Sequence, residues 1–105
     1  MTSRHPSERV VERRTVSRKT PGDGKLEVTK RAATVLESLG TAFPVVVGDR
    51  QGDARIGSMP CTCRGDEQPH VHYFVESDLF RELTAGAAVD LVLDDTGSRL
   101  LVQRA

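Results

Sequence analysis

Cys61-Thr62-Cys63 is followed, after six intervening residues, by His70-Val71-His72, and the two cysteines are the only ones in the 105-residue chain. Thiolates and neutral imidazoles are the donors that tetrahedral Zn²⁺ prefers, and an S₂N₂ set closes its coordination sphere. Alternate residues of a strand share a face. A hairpin through 61–72 would therefore put Cys61, Cys63, His70 and His72 on one face, with Cys63 opposite His70 and Cys61 opposite His72. Four protein ligands leave no open position, so the expected ion is a structural Zn²⁺. Neighbouring strands lie about 4.8 Å apart, so a twist or bulge near Pro60 or Gly65 must draw the donors together. The spacing differs from the usual C-x₂₋₄-C of zinc fingers. The same residues also read as small buried thiols with strand-flanking imidazoles, or as a redox thiol pair. A three-ligand version with Asp66, Glu67 or Glu76 as general base would be a zinc-dependent hydrolase.

Other chemical signatures are missing. The chain has no G-x-G-x-x-G after a strand, no phosphate-binding G-x-x-x-x-G-K-[ST], no H-E-x-x-H and no nucleophile elbow. Ser58 has no specified base. The expectation is a protein that is not an enzyme.

Charge supplies the second functional signal. The chain has no net charge, yet residues 1–31 hold nine Lys/Arg against four Asp/Glu, and the remainder is acidic by the same margin. Arg9, Arg13, Arg14, Arg18 and Lys19, extended by Lys25, Lys30 and Arg31, form a candidate phosphate-contacting surface. With one Tyr, three Phe and no Trp, the chain lacks the aromatic platform that single strands require. Duplex nucleic acid is thus the expected partner. An acidic protein, or a second copy of this chain in a homodimer, is the alternative, and such a basic front end is also ordinary solvated surface. No apolar run reaches the roughly 20 residues that span a bilayer. Met1 to Arg14 lacks the apolar region of a secretory signal, so the expected location is cytoplasmic.

These residues need a scaffold. Residues 1–24 read as a basic flexible arm or edge strand and 25–105 as a compact α+β domain. Val10 to Val16 alternates, with Val10, Glu12, Arg14 and Val16 on one face. Thr20-Pro21-Gly22-Asp23-Gly24 signals a turn. After a strand at Lys25–Val28, Thr29 caps a helix over 30–39 whose apolar positions recur at three- and four-residue steps, ended by Gly40. Strands follow at Phe43–Val47, Ala54–Met59 and His70–Val75, with a polar turn at 48–53. Ser77 or Asp78 caps a short helix to Leu83, and Ala88–Leu93 and Arg99–Val102 flank the Asp94-Asp95-Thr96-Gly97 turn as a hairpin. The succession predicts a small curved antiparallel sheet or partly closed β-barrel with two short helices.

The phrase Gly24-Lys25-Leu26-Glu27-Val28-Thr29, a helix, then Leu39-Gly40 resembles the strand–helix phrase of AbrB-like swapped-hairpin DNA-binding domains. The resemblance covers about one-sixth of the chain, and neither Thr29 nor Lys30 is the proline of that phrase. It implies a nucleic-acid role. Together the readings describe a small nucleic-acid-associated regulatory or assembly module with a structural zinc site, or else a metal-free protein-interaction subunit.

Overall fold

The computed structural model describes residues 8–61 and 70–105, excepting the side chains of Cys61 and His70. The chain forms a mixed α+β fold in which one seven-stranded sheet curls into a nearly closed barrel with two short helices. The strands are β1 (Arg9–Thr15), β2 (Lys25–Val28), β3 (Ala42–Val47), β4 (Arg50–Cys61), β5 (His70–Glu76), β6 (Ala88–Leu93) and β7 (Leu100–Arg104). Helix α1 (Thr20–Asp23) precedes β2 and α2 (Lys30–Leu36) follows it. Sheet order is β1-β6-β7-β3-β4-β5-β2, antiparallel except for the parallel β3–β7 pair. That pair joins two halves: β3-β4-β5-β2, made from consecutive sequence, and β1-β6-β7, which unites the chain's two ends.

The interior is aliphatic, as the composition requires. Leu26, Leu36, Val45, Val75, Leu91 and Leu100 are fully buried around Phe80. Alternation puts Leu26 and Val28 of β2 inside, and α2 adds Ala32, Ala33 and Leu36 to the same core. Thr29 caps α2 as its sequence position implies, its hydroxyl accepting from the Ala32 N–H at 3.2 Å. The helix tightens into a 3₁₀ turn at Glu37–Leu39. The segment after β5 is likewise a 3₁₀ turn, Asp78–Glu82, capped by Ser77.

Two expectations are revised by turn and bulge geometry. The β3–β4 connection is only Gly48-Asp49, with Gly48 at φ +63°, so Gly52 and Asp53 belong to β4 rather than to a turn. In β1 the register shifts between Val10 and Glu12, which inserts Val11 as an extra residue. Val11 is buried and Val10 is 41% exposed, the reverse of simple alternation from Val16.

The β6–β7 turn is organised by Asp94, which is 4% exposed. Burial opposes its ionisation. Hydrogen bonds from the Arg99 Nε (2.8 Å), the Ser98 N–H (2.9 Å), the Thr96 hydroxyl (3.0 Å) and the Arg99 N–H (3.3 Å) outweigh that and bring its pKa to about 2. The folded value lies below the unfolded one, near 3.9. The associated stability, on the order of 2 kcal/mol, is therefore present above about pH 4 and lost as the pH falls toward 2. Denaturant melts of wild type and Asp94→Asn should show the variant less stable at pH 7, with the gap narrowing between pH 4 and pH 2.

Gly24 ties the helical segments together. It sits at φ +69°, donates to Thr20 O and accepts from Ser77 N, and a Cβ there would lie 2.9 Å from Ser77 O. Gly24→Ala combines left-handed strain with a backbone clash and should cost about 1–3 kcal/mol, read as a lower Tm in calorimetry.

Candidate functional site

The ends of the sheet, β1 and β2, meet at a seam. Glu12 receives the Thr29 N–H at 3.1 Å and the Thr29 hydroxyl at 2.5 Å. Arg31 of α2 reaches back to Val11 O at 3.2 Å. A side-chain clasp thus holds the first turn of α2 against β1. The bulge at Val11 helps to place Glu12 for it: Val11 enters the core, and the Glu12 side chain becomes largely covered beside Thr29.

Beside this clasp lies an open cleft of about 390 Å³, lined by Arg14, Glu27, Thr29, Lys30, His72 and Tyr73. The Arg14 Nε is buried without a hydrogen-bond partner among the described residues, 3.8 Å from a Glu12 oxygen. A guanidinium N–H left in that state favours an acceptor. Glu12 is committed to Thr29, and Glu27 stands 3.5 Å from the His72 Nδ1. Arg14 and Lys30 line the cleft together with His72.

The eight predicted phosphate contacts do not form one patch. Arg14, Lys30 and Arg31 gather at the seam. Arg13 instead makes a two-pronged pair with the buried Asp90, Nε to Oδ1 at 2.8 Å and Nη2 to Oδ2 at 3.3 Å, on the outside of the sheet. The hydrogen bond to Asp90, reinforced by its charge, raises the pKa of Arg13 further above its ordinary value. Arg18 and Lys19 follow β1 at the other end of the barrel, where Val16 bonds to Gly86 and Ala87. The Lys25 ammonium lies 4.8 Å above the centre of the Phe74 ring. Arg9 is exposed at the start of β1, its Cα partner being Leu93.

For the predicted metal ligands, the β4–β5 register pairs Cys61 with His70 and Met59 with His72. It differs by two residues from the pairing expected above. Cys63, with Asp66 and Glu67, lies outside the described residues. Glu76, the other candidate base, pairs with Arg55 at 2.8 Å. Among the described residues, no group of three or more His, Cys, Asp or Glu is placed to hold a metal ion. None of their helices is long and apolar enough to cross a membrane.

Glu12 and Glu27 are the positions that sequence reasoning missed. Glu12 alternates like any strand residue, and only the Val11 bulge reveals its role. No family model matches the chain, and no curated protein and no solved structure proves similar to it.

Glu12→Ala should loosen the seam by removing both acceptors from Thr29. Hydrogen exchange should then rise about tenfold or more at Thr29 and Ala32, corresponding to roughly 1–2 kcal/mol of lost hydrogen bonding, with β3–β4 amides unchanged.

Proposed function

We propose that the protein is a small nucleic-acid-associated module that grips duplex phosphates at the β1–α2 seam. The observation that carries this reading is the buried Arg14 Nε, which has no hydrogen-bond partner among the described residues, in a cleft shared with Lys30 and His72. A phosphate oxygen is a fitting acceptor for the partly exposed Arg14 guanidinium, and guanidinium with ammonium is a favourable pair for one phosphodiester group. Arg31 adds long-range attraction while anchored to Val11 O. Duplex is favoured over single strands because the nearby aromatic surface is already occupied. Phe74 lies beneath Lys25, and Tyr73 packs against the core. Contacts of this kind give affinity and salt dependence with little sequence readout, as suits an assembly or regulatory component.

An acidic protein is the second reading. Val71 and Met59 are large apolar side chains about half exposed near the same cleft, and an exposed apolar margin beside cations fits a protein surface as well.

Fluorescence anisotropy on a short duplex across a salt series separates the two. Arg14→Gln with Lys30→Gln should weaken binding and reduce the slope of log affinity against log salt by roughly 1, for the one phosphate contact removed. Arg13→Gln should leave the slope nearly unchanged, because that guanidinium is engaged by Asp90. Absence of binding by folded wild type at low salt, or an unaltered slope in the double variant, would transfer the reading to the protein partner.

A further inference from the structure

Strand β4 outruns its neighbour. Pairing with β3 ends at the Ala42–Arg55 rung, whereas the β4–β5 ladder continues to Cys61 and His70. The backbone of 56–61 is therefore paired with β5 on one side, and among the described residues no strand lies on the other. The β3–β4 hairpin shows which backbone groups face that open side. Its two-residue loop makes Val47 and Arg50 a pair that exchanges hydrogen bonds, and Val45–Gly52 and Phe43–Ala54 repeat the arrangement at steps of two. Pro44, which has no N–H to give, falls on the intervening rung with Asp53, as this alternation requires. Gly52 and Ala54 thus direct their backbone groups toward β3, and Ile56, Ser58 and Pro60 continue the series beyond its end. We propose that this overhang is a homodimer interface, in which β4 pairs antiparallel with β4 of a second copy about a twofold axis at Ser58.

Hydrogen bonding, shape and charge all suit a second copy in that register. With Ser58 opposite the partner's Ser58, two N–H···O bonds form at the axis. Each Ile56 N–H then meets the carbonyl of the partner's Pro60, so the proline costs a donor only on the outermost rungs. The same register sets Met59 opposite the partner's Gly57, on the ribbon face that also carries Phe74. The Phe74 ring leans over Gly57, where a Cβ would lie 2.6 Å from it. Met59 is 52% exposed in the single chain, and the pairing gives it a thioether–aromatic contact at that ring, twice by symmetry.

Residues 56–61 include no Asp, Glu, Lys or Arg, so self-pairing opposes no like charges. Edge strands are commonly guarded by charged side chains, as β1 is by its arginines. The β4 overhang has no such guard. Each copy's edge is consumed by the other, so assembly through this contact closes at two.

A six-residue edge pairing is smaller than a standard interface of about 1,600 Å², and a dissociation constant of roughly 10–100 µM is expected. Sedimentation equilibrium from about 5 µM to about 1 mM, under reducing conditions that exclude disulfide-linked dimers, should show a monomer–dimer equilibrium in that range. Hydrogen exchange should slow with rising concentration, most at Ile56 and Ser58, whose N–H groups the single chain leaves at the edge. Met59→Lys, at an exposed position, should fold and weaken dimerisation about tenfold or more by removing the thioether contact and placing two ammonium groups on one face. Ser58→Pro removes both central bonds of the dimer and none of the β4–β5 ladder, and should be monomeric throughout. Circular dichroism checks that both variants are folded. Arg14→Gln with Lys30→Gln should dimerise like wild type, which separates this contact from the seam. The proposal is overturned if folded wild type stays monomeric at the highest concentration, or if either folded β4 variant dimerises as tightly as wild type. Slow exchange at Ile56 and Ser58 at every concentration would overturn it too, because the edge would then be covered within one chain.

Discussion

The barrel depends on one carboxylate. Its terminal strands, β1 and β2, share no ladder, and the gap is bridged by Glu12 binding both polar groups of Thr29. Thr29 in turn caps α2 through the same hydroxyl. Glu12, with Arg31 at Val11 O beside it, thus couples sheet closure to the start of α2 and the position of Lys30. A ladder would have tolerated the loss of a single bond, but a clasp built on two side chains does not. The geometry of the cleft also follows from it, because Arg14 and Lys30 belong to the two elements the clasp joins.

Much of the architecture is legible in the chain. The apolar repeat through Ala32, Leu36 and Leu39 and the capping hydroxyl of Thr29 locate α2, and the β-branched runs around the Asp94 turn locate the β6–β7 hairpin. Pattern alone could not supply topology. Val45 and Leu100 are paired in parallel across more than half the chain, and nothing local at either position encodes that partnership. Nor does Val10-Val11 reveal which valine is the extra residue, since both suit a strand equally and only the facing β6 decides.

The site is less legible for a related reason. Charge clustering along the sequence grouped Arg13, Arg14, Arg18 and Lys19, but alternate residues of a strand face opposite ways and a turn carries the later ones to the far end of the barrel. Folding therefore divides one cluster into three environments: an ion pair with Asp90 on the outside of the sheet, a cleft at the seam, and an exposed turn. The Cys/His segment has the complementary problem. Residue types there advertise metal chemistry, yet which of them are neighbours depends on a register set by the β4–β5 pairings from Arg55–Glu76 to Ser58–Tyr73, not by the motif.

The sheet order has a consequence for synthesis on the ribosome. Strands β2 to β5 pair among themselves, so that half can assemble once residue 76 has emerged. Strand β1, made first, pairs only with β6, and must wait for almost the whole chain. Until then Val11 and Val16 lack their covering partners and the β1 edge is open, a state that invites pairing with other nascent chains. The arginines of β1 then have a use before folding is complete: like charges along an unpaired strand discourage its association with a second copy.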